Sequence, residues 1–435
     1  MLLATIFFLF ISLTIIFGIT VPVVNHIKGV SISNNTKTSY LLADVAAEDI
    51  LYRLKNNKQV PSNGSLSLNG ATSTIVVSNS GDGKAVVVTA NSQNHIRKIS
   101  ASVQYGTGIS FHYGIQAGQG GFTMDNSSKI IGNVFSGGSV IGENDNWIYG
   151  DVVSANSSGW VYGIHATGTV YSHTIGNTSY TTTVDKDAYY QTILNPSNTK
   201  VSGAVCTSNS HCHPGSADQT DVALPISDDQ IFEWETDAAA GGTLSSSFCD
   251  SFSSNTCFIT TSKSLGPIKI PFNLDIKSNG GILTVNGPIW VVGNIITETG
   301  ATIKMASSLG SQNVAIIADN PSNRSTASTI STGQSSAFQG SGSPSSFVFL
   351  ISMNNSAENG GSTVAVTMSQ GSNALVAYAS HGLIRMSQSV GVKEATGYKI
   401  SLSQSANVTY DTGLPNTLFE AGPSGGYNIL GWGEI

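Results

Sequence analysis

Residues Met1 to Val24, MLLATIFFLFISLTIIFGITVPVV, carry no charged side chain, and the first charge after them is Lys28. As a helix rising ~1.5 Å per residue, such a run is long enough to cross the hydrocarbon core of a bilayer. A secretory signal opens on a basic segment and closes on a small-residue cleavage site. Neither flanks this run, so the chain reads as already processed. Thr5, Ser12, Thr14 and Thr20 are polar, but their hydroxyls can return to backbone carbonyls. Gly18 and Pro22 interrupt an otherwise strong helix, and its weakest point is expected between them.

From Thr36 to Asn57 the helical pattern changes character. Tyr40, Ala43, Ala47, Ile50, Leu51 and Leu54 make one apolar stripe, and Asp49 and Arg53 stand four apart on the polar side. A single stripe asks for one folded partner, so this half packs on its own domain.

A lone N-terminal helix with an all-apolar first half, a proline at position 22 and an amphipathic second half resembles a mature type IV pilin, over about the first sixty residues. The resemblance implies that Met1 stands where the prepilin peptidase leaves the new, methylated N-terminus. It implies that Pro22 is the helix-breaking proline of that family, and that Met1, Thr5, Phe8, Ile15, Gly18 and Pro22 belong to a filament core. Most pilins have glutamate as the fifth mature residue, where this chain has Thr5, a departure shared by some minor pilins and pseudopilins. The competing reading is a plain signal-anchor. Against it stands the absence of the basic flank that cytoplasmic ends of membrane spans carry.

Only 10% of the 435 residues are charged, against ~25% in average soluble domains, while Gly numbers 47 and Ser, Thr and Asn crowd the last three quarters. The net charge of −7 leaves no basic patch, which argues against nucleic acid as a partner. β-Branched and aromatic runs recur too regularly for general disorder, and the Ser/Gly-rich tract from Ser322 to Ser346 reads as a loop. Cys206, Cys212, Cys249 and Cys257 all follow the apolar helix. Their even number in an exported chain points to two disulfides; three connectivities are open, and the two local loops, Cys206 with Cys212 and Cys249 with Cys257, are the preferred one. Zinc held by Cys206, His211, Cys212 and His213 is the alternative, but the spacings match no usual finger.

The fold expected is α+β and mostly β, in five segments. Residues 1–58 are the pilin-like helix, and residues 59–118 a small antiparallel sheet, with strands at Leu66–Leu68, Thr74–Val77, Ala85–Thr89, Ile96–Gln104 and Ile109–Tyr113 and a hairpin turn at Asp82-Gly83. Residues 119–200 are a first parallel β-solenoid block, read from short runs such as Ile130-Ile131-Gly132 and Trp160-Val161-Tyr162-Gly163. Residues 201–264 are a disulfide-rich insertion covering one solenoid end. Its short helix starts at the capping box of Ser227 and Gln230, buries Ile231, Trp234 and Ala238, and stops at Gly241. Residues 265–435 are a second solenoid block, in which apolar-x-apolar-small units begin at 366, 384 and 400. The pattern resembles bactofilin-like and other parallel β-helix modules of bacterial surface proteins; a β-sandwich is the structural alternative.

No nucleophile elbow, metalloprotease helix or phosphate loop occurs, and no catalytic residue, cofactor or metal is assigned. Because parallel β-helices include polysaccharide-active enzymes, Asp145, Asp151 and Asp187 form the one carboxylate set to test, although acids in Gly/Asn-rich turns are ordinarily turn formers. Trp147, Tyr149, Trp160, Tyr162 and Tyr171 are the candidate ligand surface, for sugars or a partner protein, with burial in the core as the alternative. Eight Asn-x-Ser/Thr sequons, including Asn63, Asn156 and Asn177, are potential glycan acceptors. The expectation is a non-enzymatic, extracellular filament subunit, membrane-inserted before assembly. It would self-associate through its N-terminal helix and display its β body to surface glycans or host-cell proteins. A minor pilin, pseudopilin or singly anchored adhesin is the alternative.

Overall fold

The computed structural model describes residues 2–55, 60, 63–80, 83–105, 111–207, 209–277, 281–343, 346–369, 375–411, 414 and 427–435. The chain divides into two compact units, Met1–Gly106 with Ser424–Ile435, and Thr107–Pro423. The class is α+β and mostly β: a long N-terminal helix, a small antiparallel sheet and a parallel solenoid, not a β-sandwich.

In the first unit, helix α1 runs from Leu2 to Lys55 and keeps Pro22 inside it. Proline removes the donor that would reach the Gly18 carbonyl, yet the helix continues through this expected weak point. The Thr14 and Thr20 hydroxyls donate to the carbonyls of Phe10 (2.8 Å) and Ile16 (2.5 Å). From Ser39 onward one side is covered. Leu42, Ala43, Ala46, Ala47, Ile50, Leu51 and Leu54 pack on Ala71, Ile75, Val86, Val88, Ala90, Ile99, Ala101 and Val103. Tyr40, read from the sequence as part of this stripe, is instead 40% exposed and lines a surface hollow with Lys37, Leu41, Arg97 and Glu434. The covered side of the helix runs through Ser39, Leu42, Ala43, Ala46 and Ala47, and Tyr40 falls outside it.

The sheet opposite α1 is built from Asn63–Leu68, Ala71–Ser80, Gly83–Ser92 and His95–Tyr105 in successive antiparallel pairs. Its fifth strand, Tyr427–Glu434, returns from the far end of the chain to pair with His95–Tyr105. The last strand of the chain therefore belongs to the head sheet, not to the segment 265–435. The strand expected at 109–113 falls partly outside the described residues, and 111–113 are not strand. Of the Asp82-Gly83 turn, Asp82 lies outside the described residues.

The second unit is a solenoid whose inward side chains repeat coil after coil. On one face Leu274, Ile295, Ile330, Val366, Ile384, Ile400, Phe122, Val140 and Val161 align in register. Each is 1% exposed or less. The step from Ile400 to Phe122 joins the two blocks expected from the sequence into one stack: Glu394–Leu402 pairs in parallel with Ile115–Asp125. The chain thus enters the solenoid in its middle, builds coils outward to about residue 214, and builds the remaining coils from 251 back to the join.

That topology needs a return path, and residues 215–227 supply it. This segment of the insertion expected at 201–264 does not sit on one end; it runs along the stack, tied to coil after coil. Ser216 N donates to Tyr190 O (3.1 Å), Asn156 N to Gln219 O (2.9 Å), Gln116 Nε2 to Ala223 O (3.0 Å) and the Tyr378 hydroxyl to Ile226 O. Helix α2, Asp228–Ala240, then begins where Ser227 Oγ accepts from Gln230 N. Its Ile231 and Trp234 cover Ala315, Ile317, Phe349, Ile351 and Tyr378. This second cover explains why Val314–Ala318 and Val348–Ser352 are buried at every position, as a strand covered on both faces must be.

The Ser322 to Ser346 tract corrects a further expectation. It holds two ladder strands, Ile330–Thr332 and Ala337–Gln339. One large inward residue per strand, Ile330 or Phe338, suffices because neighbouring coils supply the pairing, and buried Thr297 and Ser336 hydroxyls satisfy one another at 3.1 Å.

Candidate assembly helix and aromatic ladders

The first half of α1 is apolar and uncovered. Up to Asn34 every side chain described is exposed, Phe8 by 71% and Ile15 by 55%. Thr5, Gly18 and Pro22 share that exposed stretch, while Met1 lies outside the described residues. By length and composition the helix can cross a membrane, and none of its apolar stretch is buried. Burying one such side chain is worth about 1.5–3 kcal/mol, so a segment of this kind is stable in water only when lipid or other protein covers it.

The five candidate aromatics of the solenoid do not form one surface. Trp147 and Tyr149 end the strand Val140–Tyr149 and stack at 5.6 Å, and Trp147 stacks again on His165 one coil on, at 3.7 Å. Trp160 and Tyr162 lie on another face, 4.5 Å apart, with Tyr162 in register with Ile141. Tyr171 lies on the third, paired in register with Tyr189, and their rings stack at 5.0 Å with an 8° interplanar angle. Tyr189 stacks in turn on His213 at 4.3 Å. Polar partners fix the indoles: Trp147 Nε1 donates to Asp145 Oδ1 (3.2 Å) and Trp160 Nε1 to Gly176 O (2.8 Å). Tyr149, 42% exposed, is the most open of the five.

Histidine and carboxylate pairs are the feature that sequence reasoning missed. His165 meets Asp185 (2.8 Å), His173 meets Asp218 (3.0 Å), and His211 and His213 both meet Asp187 Oδ1 (3.0 and 3.1 Å). His381 bridges two acids, Asp228 through Nε2 (2.8 Å) and Glu358 through Nδ1 (2.6 Å). Three of these pairs anchor the returning segment, at its start, at 218 and at the first residue of α2. Hydrogen bonds from His213 and His211 hold the Asp187 carboxyl below its ordinary range. Burial, then the neighbouring Tyr189 and the acids Asp151 and Asp187, push the Tyr171 phenol up. Partners 20 to 153 residues apart in sequence leave no local spacing to read.

The acids of the carboxylate set stand apart. Asp151 Oδ1 accepts from Thr169 N (2.7 Å), and Asp187 is occupied by its two histidines. Val152 and Ala188, the residues that follow them, both align on Val170, which puts the two acids two coils apart, roughly 10 Å at ~4.8 Å per strand. Asp145 sits at a different corner, in the bulge before Trp147. Cys206 is bonded to Cys212 and Cys249 to Cys257, which removes the thiolates that the zinc alternative needs. Among the described residues no three His, Cys, Asp or Glu side chains are placed to hold a metal ion.

No protein-family model matches the chain, and no curated protein matches it. Among solved structures it is similar to the competence-associated pilin ComZ from Thermus thermophilus, at 10% identity and a TM-score of 0.36, with 92% of this chain and 97% of that chain covered.

Proposed function

We propose that this chain is a non-enzymatic subunit of a type IV pilus-like filament. Its uncovered apolar helix packs with copies of itself in the fibre core, and its β-rich body is displayed outside for adhesion. The observation that carries this reading is the contrast within one continuous helix: exposed up to Asn34 and apolar as far as Val24, then covered along one side by its own sheet. A helix that only anchored the chain would equally need lipid. What favours assembly is that the same rigid rod runs on into the head, so helices that leave the membrane bury their apolar surface in one another and carry the heads in register. The parallel solenoid, of the kind that resembles bactofilin-like surface modules, is the displayed part, and surface glycans or host proteins meeting its outward aromatics are the adhesion partners. Thr5 favours the second reading, a minor pilin or pseudopilin at a filament tip.

N-terminal mass spectrometry of the chain purified from cells tests the processing step. A methylated Met1 is expected. A longer N-terminus in the mature protein would point to a plain membrane anchor instead.

A further inference from the structure

The two disulfides lie at opposite ends of the solenoid. At one end Thr199–Val201 turns back into Ala204–Val205 as an antiparallel pair, and Cys206 bonds to Cys212 at the start of Cys212–Pro214, which lies on Ala188–Ile193. At the other end Ser251–Ser253 pairs antiparallel with Thr256–Ile259, and Cys249 bonds to Cys257. Cys257 is an inward residue with no exposure, in register with Leu274. Cys206, Cys212 and Cys249 all pack against the apolar core of the solenoid, together with Phe248. Each staple spans only 6 or 8 residues, so it fixes the terminal coil and ties nothing distant together.

An unguarded end of a parallel stack offers free backbone donors and acceptors and an open apolar core, a template for another strand. This chain already shows that its coils pair without covalent continuity, since Glu394–Leu402 lies on Ile115–Asp125 by register alone. The two ends are also complementary in direction: one presents the last coil of a parallel stack and the other its first. A second copy of this chain, end to opposite end, would extend the ladder as the internal join does.

We propose that the two disulfides are end locks, which keep the solenoid of one copy from stacking head to tail on the solenoid of another. Reduction by a dithiol opens them: the dithiol delivers two electrons and two protons to the bridging sulfurs, leaves as a cyclic disulfide, and each cystine becomes two thiols. With the lock open the terminal hairpin lifts, and the end becomes adhesive. This inference does not depend on the filament reading.

The test uses the full chain in a detergent that covers α1, with two variants, Cys206→Ala/Cys212→Ala and Cys249→Ala/Cys257→Ala, each opening one end. Sedimentation velocity should find each variant alone at the size of the disulfide-intact chain. An equimolar mixture should form heterodimers, with at least a tenfold larger dimer fraction than either variant alone, and added dithiol should drive the unmodified chain to longer oligomers. Hydrogen exchange should show the inner ladders still protected in both variants. A monomeric mixture would overturn the proposal, as would equal association of either variant alone. Loss of ladder protection in the variants would overturn it too, because the disulfides would then be holding the fold itself.

Discussion

Glu235 and His381 are two ionisable groups of the solenoid that shift its stability with pH in the same direction. Glu235 of α2 lies beside Asp319, whose carboxylate takes a bidentate hydrogen bond from Arg324 (2.8 and 2.6 Å). Burial first, then the charge of Asp319 and the hydrogen bond to it, push Glu235 up to about 9. The folded chain therefore keeps a proton that the unfolded chain gives up near pH 4.3, and stability falls as pH rises between those values. Glu235→Gln removes that dependence. It should stabilise the chain at pH 7.5, by a gain on the order of 1–3 kcal/mol, and change little at pH 4, as read from denaturant midpoints. His381 works in the same direction from the other side. Burial alone would lower its pKa, but the hydrogen bonds and charges of Asp228 and Glu358 outweigh it and raise the value. Both ring nitrogens face carboxylates, and only the imidazolium can donate to both. Its contribution is present below the unfolded value of ~6.5 and is lost as pH rises through the folded one. His381→Gln should cost roughly 1 kcal/mol at pH 6 and clearly less at pH 9, as measured by thermal unfolding at the two values.

Among the elements, the strand pair carrying the aromatics is the most sterically exacting. Val140–Tyr149 and Trp160–Ala166 lie in adjacent coils with a register shift between Tyr162 and Ile164. At that shift Gly163 has φ +71, and a Cβ on it would stand 1.8 Å from the Gly142 carbonyl oxygen. Gly203 has a similar φ of +78 but open space around it. Gly163→Ala should therefore cost about 3 kcal/mol or more, and Gly203→Ala only about 1 kcal/mol, in urea unfolding. Comparable losses at both positions would mean that backbone strain, and not the coil contact, decides. Elements with local signals were legible in the sequence. The capping box of Ser227 and Gln230 marks the start of α2, the Asp49 and Arg53 spacing gives an ion pair at 2.8 Å, and apolar-x-apolar units at 366, 384 and 400 fall on ladder strands. Strands in the Ser322 to Ser346 tract were not legible, because one apolar residue in a run of Ser, Thr and Gly declares nothing until a neighbouring coil pairs with it. Tyr40 was misplaced because helical spacing alone does not say where the edge of a stripe lies: the covered side runs through Ser39, Leu42 and Ala43, and Tyr40 falls outside it.

For the whole molecule, what escaped the sequence is order. Every coil repeats the same alternation, so nothing local says that Ile400 stacks on Phe122, or that the segment after Gly215 must travel the length of the stack. The same reason hid the histidine anchors of that segment, whose partners meet only once the coils are in place. The head sheet shows the converse: four consecutive strands could be read in order, while the fifth, Tyr427–Glu434, could be assigned only by its partner. The apolar helix, by contrast, was legible from its first residues because exposure of that much apolar surface needs no tertiary context to be recognised. Its use as a filament core is the central claim, and electron cryomicroscopy of filaments sheared from cells making this chain tests it most directly. Helical order is expected, with density for residues 6–24 of this chain in the fibre core and the β body outside. Filaments whose core lacks this helix, with the chain retained in the membrane fraction, would contradict it.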